Sequence, residues 1–275
     1  MLCGCLCKCK IIKERNNIKM SETKYDEVQG NVARRLPIVF CLDVSPSMGW
    51  REGNNSSSIE LLNAAVNGFL SELQNDDRVC AAVEVSFVTF STDVIEDTEF
   101  KNIRSITPRK YTAVDKGGTF ISKAVLRSIE KIEEKKRELE DLEIQYFAPF
   151  LILVTDGDPD AIDISNSSTY NEALNAVKSH CDSHVGAAEI IIPFIIGVGD
   201  HMEVKTLTRY AEGFTNGYFS VRGNASSIKT KFSKVFELIG NSTKKSVHLN
   251  AGVREIIKSI QCDANVLLKD LIGRA

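Results

Sequence analysis

Leu36-Pro-Ile-Val-Phe-Cys-Leu-Asp43 consists of seven uncharged, mostly apolar residues closed by a carboxylate. A run this short, apolar at odd and even positions alike, reads as a strand covered on both faces, since a half-exposed strand would alternate. Four later runs share the character: Val79-Cys-Ala-Ala-Val-Glu-Val-Ser-Phe-Val-Thr-Phe90, Phe150-Leu-Ile-Leu-Val-Thr-Asp156, Ile190-Ile-Ile-Pro-Phe-Ile-Ile-Gly-Val198 and the shorter Gly217-Tyr-Phe-Ser-Val221. Between them lie stretches of helical period, at residues 59–73 (apolar Leu62, Ala65, Val66, Phe69 and Leu73), 120–142, 170–180, 202–211 and 226–239. Covered strands alternating with amphipathic helices predict an α/β sheet. Val94-Ile95, directly after Ser91-Thr-Asp93, predicts a hairpin and hence one antiparallel strand at the edge of a mixed sheet.

Outward from this alternation, the charge-rich stretch from Glu130 to Leu142 carries a sparse apolar stripe with no heptad over three turns, and is expected to be a solvated helix face. Residues 244–275 hold two short amphipathic pieces, around 253–260 and 266–272, and are expected as a C-terminal helical appendage. A chain of 275 residues is near the size one core supports. The expected organisation is therefore a leader over 1–33, a single α/β domain over 34–243 and the appendage over 244–275.

The leader is basic and rich in thiols. Residues 1–19 carry five basic side chains against one acid, so the net charge of −3 resolves into +4 there and −7 over the remainder. Such a balance gives no polycationic surface for nucleic-acid phosphates. Cys3, Cys5, Cys7 and Cys9 crowd the first nine residues. Three readings stand for this head: a disordered or untranslated leader ahead of Met20, S-acylation giving peripheral membrane contact, or thiolate metal binding. The other cysteines, Cys41, Cys80, Cys181 and Cys262, are scattered singly, which fits a reducing compartment better than a disulfide framework. No stretch approaches 18 consecutive apolar residues, so no membrane-spanning helix is expected.

Hydroxyls and carboxylates concentrate at three places. Asp43-Val-Ser45-Pro-Ser47-Met-Gly leaves the first strand, Gly117-Gly-Thr119-Phe opens the long helix, and Val154-Thr-Asp156-Gly-Asp158 leaves the fourth strand. Loops at the carboxyl ends of strands in an open α/β sheet line one crevice, so these distant residues are expected to converge. Positions 43, 45 and 47 alternate in a tight loop and can aim three oxygens at one point. An all-oxygen set of Asp43, Ser45, Ser47, Thr119 and Asp156 suits a hard cation such as Mg²⁺ or Mn²⁺, with a position left for an outside carboxylate.

Asp43-x-Ser45-x-Ser47, Thr119 and Asp156-Gly resemble the metal-ion-dependent adhesion site of von Willebrand factor type A domains, over roughly residues 34–240. The resemblance implies a doubly wound, mostly parallel central sheet with helices on both faces. It also implies Ser45, Ser47 and Thr119 as direct or near-direct Mg²⁺ ligands, Asp43 and Asp156 bound directly or through water, and a partner's Glu or Asp completing the shell. Arg34-Arg-Leu-Pro-Ile-Val-Phe-Cys-Leu-Asp43, Phe87-Val-Thr-Phe-Ser-Thr-Asp93, Gly117-Gly-Thr119 and Phe150-Leu-Ile-Leu-Val-Thr-Asp-Gly157 resemble the intracellular TerY-like branch, linked to tellurium resistance and stress. That likeness implies a cytoplasmic setting and, as partners, a protein kinase or a PPM-type phosphatase. Pro46 departs from the family pattern, where a small residue is usual. Trp50, on a long loop before the helix, is expected either as an exposed anchor or as packing over the site.

Competing chemistries are weaker. The aspartates from 156 to 163 lack the Gly and the bidentate Glu of an EF-hand, with Ala161 and Ser167 at those positions. Asp43 ending a buried strand also resembles dehalogenase-like phosphatases, but Ser45 stands where their second aspartate belongs. The expected function is a non-enzymatic, cation-dependent protein-binding module; the alternative is an Mg²⁺-dependent phosphohydrolase using Asp43.

Overall fold

The computed structural model describes residues 34–51, 56–156, 167–181, 190–199, 204–211, 218–221, 225–267 and 272–273. The cysteine-rich head, Gly157 and Asp158 lie outside the described residues. In chain order the elements are β1 (Leu36–Asp43), a 3-10 turn (Pro46–Gly49), α1 (Ser58–Gln74), α2 (Asp77–Ala82), β2 (Val83–Phe90), β3 (Val94–Asp97), β4 (Lys101–Asn102), a second 3-10 turn (Ile103–Ser105) and α3 (Ile121–Asp141). There follow β5 (Phe150–Thr155), α4 (Ser167–Cys181), β6 (Ile192–Val198), α5 (Val204–Ala211), β7 (Tyr218–Val221), α6 (Ala225–Leu249), α7 (Val253–Leu267) and β8 (Ile272–Gly273).

The sheet runs β3-β2-β1-β5-β6-β7-β8, with the five central strands parallel. Besides the expected antiparallel β3, the two-residue β4 and β8 also pair antiparallel, against β2 and β7. The chain winds outward from β1 on one side and from β5 on the other, so these adjacent strands flank the topological switch point, where open α/β sheets bind ligands. Alternation along β1 divides the core. Leu36, Ile38, Phe40 and Leu42 join the cluster under α1, α6 and α7, whereas Val39 and Cys41 join the one under α3, α4 and α5. Phe40 anchors the first cluster, stacked on Phe87 at 5.3 Å and edge-on to Phe69 at 5.6 Å, each pair adding about 1 kcal/mol to plain burial.

Three local outcomes differ from the sequence reading. The apolar run beginning at Val79 starts as helix, because Asp76 caps α2 by accepting from the Arg78 and Val79 amides at 3.1 Å. α6 passes unbroken through the boundary expected at 243. Ser242, Thr243 and Ser246 interrupt its apolar stripe in sequence, yet they are buried, each hydroxyl donating to the carbonyl four residues back at 2.9–3.0 Å. Ile256 and Ile260 of α7 enter the same core, and β8 extends the sheet. Finally, the charged stretch of α3 does present a solvated face through Glu130, Glu134, Arg137, Glu138, Glu140 and Asp141, but Lys131, Lys135 and Lys136 are buried, with Lys131 paired to Asp97 of β3 at 2.6 Å and Lys135 to Glu84 of β2 at 2.7 Å.

Cys41 yields the first testable expectation. Burial pushes its thiol up to about 12, and it is fully enclosed, whereas Cys262 is exposed. Iodoacetamide at mild alkaline pH should modify Cys262 while the Cys41 peptide stays unmodified by mass spectrometry, because an enclosed thiol with a raised pKa offers the reagent neither access nor thiolate. Equal rates for the two would contradict the enclosure of Cys41.

Candidate functional site

Asp43 ends β1 and Thr155 ends β5, each one step beyond the paired Leu42 and Val154, and Asp43 is wholly buried. The Thr155 hydroxyl donates to Asp43 Oδ2 at 2.6 Å, and the Ser45 amide donates to Oδ1 at 2.8 Å. Ser45 is extended (φ −59°, ψ 162°), as a residue before proline must be. Pro46 then occupies the first position of the 3-10 turn, where its missing N–H costs nothing. The departure at Pro46 is thus accommodated, because the amide that orients Asp43 comes from Ser45. Met48, fully buried, pins the turn from below. Ser45 Oγ and Ser47 Oγ face each other at 3.1 Å.

Asp156 follows β5 and is nearly buried. Burial, and after it the charge of Asp156, raises the Asp43 carboxyl to about 7, against the opposing hydrogen bonds of Thr155 and Ser45. Two carboxylates and three hydroxyls of Ser45, Ser47 and Thr155 therefore surround one corner at the switch point. Among the described residues no three His, Cys, Asp or Glu side chains gather into a metal-binding group; this donor set holds only two acids and is otherwise hydroxylic. Such donors fit a hard divalent cation, which would offset both the desolvation of Asp43 and its repulsion by Asp156. Burial decreases from Asp43 and Ser45 to the half-buried Ser47 and then Trp50, 68% exposed, so the corner opens on the Ser47 side. Of the two placements expected for Trp50, the exposed one is found.

Thr119 is buried, two residues ahead of α3. By alternation Asp43 lies on the sheet face of Val39 and Cys41, the face that packs against Ile121 of α3, so Thr119 and Asp43 share a side and an edge of the sheet. A backbone bridge links their loops, the Val114 amide donating to the Val44 carbonyl at 2.9 Å. Thr119 is flanked by further anchors on the end of β2: Gly118 N–H donates to Thr92 Oγ1, Ser91 Oγ–H to the Gly118 carbonyl, and Phe120 N–H to the Ser91 carbonyl, all at 2.8 Å. Hydrogen bonds thus link Asp43, Ser45 and Ser47, the charge of Asp156 acts on Asp43, and the Val114–Val44 bridge ties the segment leading to Thr119 to the loop after β1.

Thr155, Ser91 and Thr92 escaped the sequence reading. The signal for Thr155 was its alignment with Asp43 once both runs are read as adjacent parallel strands; for Ser91 and Thr92 it was their place just beyond a third strand.

A family model described as von Willebrand factor type A domain matches residues 38–234. No curated protein matches the chain. Among solved structures, the PilB minor pilin from Streptococcus sanguinis is 14% identical with a TM-score of 0.54, the match covering 81% of this chain and 64% of that one. The pilus adhesin SpaC from Lactobacillus rhamnosus GG is 15% identical with a TM-score of 0.52, covering 79% of this chain and 31% of that one. The chain therefore spans less than two thirds of either pilus protein, and the likeness is one of fold.

Proposed function

Because the chain belongs to the von Willebrand factor type A domain family, whose members commonly mediate protein–protein interaction through a metal-dependent site, we propose that it captures an acidic side chain of a protein partner through Mg²⁺ or Mn²⁺. The residues that would hold the cation are Asp43, Ser45, Ser47, Thr119 and Asp156. Bound there, the cation would supply the positive charge that a partner's Glu or Asp recognises. Asp43 and Ser45 form the buried floor, Ser47 the half-buried rim, and exposed Trp50 offers contact area beyond it.

The observation that carries this reading is the environment of Asp43, an enclosed carboxylate facing hydroxyls and a second carboxylate. It also weighs against the phosphohydrolase alternative. A nucleophilic aspartate needs an oxygen open to substrate, whereas both Asp43 oxygens accept hydrogen bonds inside the protein. The resemblance of residues 34–43, 87–93, 117–119 and 150–157 to the TerY-like branch supports an intracellular, stress-related or phosphosignalling role, with a protein kinase or PPM-type phosphatase as partner. The free thiols at Cys41, Cys80 and Cys262 agree with a reducing compartment.

Capture of partners from native lysate on the immobilised chain tests the proposal. Capture in Mg²⁺ should fall at least about tenfold in EDTA, and similarly for Ser45→Ala or Thr119→Ala with folding intact. Equal capture by wild type and variants, with and without EDTA, would overturn it. Mg²⁺-dependent hydrolysis of a phosphate ester, abolished in Asp43→Asn, would favour the enzyme.

A further inference from the structure

We propose that Ser91 and Thr92 are positioning residues that pre-set Thr119 for the cation, although neither belongs to the ligand set; this rests on the metal-dependent reading above. A threonine hydroxyl is aimed by its own backbone, and that backbone is fixed when the peptide planes on either side of it are fixed. Three consecutive planes are tied here to the end of β2. Gly118 N–H, in the 117–118 plane, donates to Thr92 Oγ1; the Gly118 carbonyl, in the 118–119 plane, accepts from Ser91 Oγ–H; and Phe120 N–H, in the 119–120 plane, donates to the Ser91 carbonyl. Both backbone torsions of Gly118, and both of Thr119, lie between tethered planes.

Gly117 completes the device. Its φ of +142° suits glycine, and a Cβ added there would sit 2.8 Å from Thr92 Oγ1 and 2.9 Å from Ser91 Oγ. The first glycine of Gly117-Gly-Thr119 is thus the space through which two hydroxyls reach the next peptide. Ser91 is itself buried and held by its own amide, which donates to the Asp93 carbonyl at 3.0 Å. The β2 terminus therefore serves as a third support beside the ends of β1 and β5.

The test compares wild type, Ser91→Ala/Thr92→Val, the single Thr92→Val and the conservative Thr92→Ser. It uses calorimetric titration with Mg²⁺ alone, melting in EDTA, and amide hydrogen exchange at Gly118 and Phe120. The double variant should bind Mg²⁺ at least about tenfold more weakly and exchange faster at both amides, while melting in EDTA close to wild type; Thr92→Ser should restore the Thr92 contribution. Should the double variant fail to fold, Thr92→Val carries the same comparison with a smaller loss. Wild-type Mg²⁺ affinity in a folded variant, or a fall in melting temperature with no change in affinity, would overturn the positioning role alone. Absence of Mg²⁺ uptake by the wild type would overturn the metal-dependent reading and this role with it.

Discussion

Asp43→Asn is expected to raise the melting temperature of the metal-free chain and at the same time to abolish its stabilisation by Mg²⁺. In the wild type, Asp43 is fully enclosed and its carboxyl is driven up to about 7 by burial and by Asp156. Keeping such a group ionised at neutral pH opposes folding by on the order of 3 kcal/mol. An amide of the same shape removes that charge, can still accept from the Ser45 amide, and can donate to the Thr155 hydroxyl. Recovery of even half the penalty would raise the melting temperature by about 3 °C or more. The wild type should instead gain about 2.7 kcal/mol from Mg²⁺ at a hundred times its dissociation constant, and the variant none. A variant that melts below wild type in EDTA, or that keeps the Mg²⁺ response, would refute the picture of two acids awaiting a cation.

Asp97→Ala should be the more damaging change to the scaffold. Asp97 on β3 receives Lys131 at 2.6 Å and Arg127 at 2.5 Å, and Lys131 is only 3% exposed. Truncating the acid leaves a buried ammonium facing no carboxylate on β3, at a cost of about 3 kcal/mol and a fall in melting temperature of about 6 °C or more. Burial pushes the Asp97 carboxyl up, but the hydrogen bonds and charges of Lys131 and Arg127 outweigh it, and the net direction is down. The stability it contributes is therefore complete above the ordinary carboxylate range and lost as pH falls through the lowered folded value. Wild type and variant should differ fully at neutral pH and draw together below about pH 4. Equal stability of the two at neutral pH would show the pair to be inconsequential.

The central strands could be read from the sequence because burial on both faces leaves uninterrupted apolar runs; β1 ends on Asp43 and Asp156 directly follows β5, the two acids of the candidate site. Asp43, Ser45 and Ser47 were legible for a related reason: close spacing in one tight loop limits how far apart their oxygens can be. Features created by tertiary contact were not. The lysines of α3 look solvated until Glu84 and Asp97 on neighbouring strands meet them. α6 looks finished at Ile239 because hydroxyls that bond back to their own helix are indistinguishable, in sequence, from a polar surface. Thr155 carries no mark as the partner of Asp43 until strand register brings them together, and Ser91 and Thr92 gain meaning only through a loop more than twenty residues away.

Trp50 is the only tryptophan in the chain. It stands 68% exposed at the end of the turn that carries Ser47, its amide bonded to the Ser47 carbonyl at 3.0 Å. The molecule thus carries a single indole emitter at the mouth of the candidate site, with no second one to dilute the signal. Anything that docks over the Ser47 rim and dries that ring should shift its fluorescence to shorter wavelength, so occupancy can be followed optically without attaching a dye.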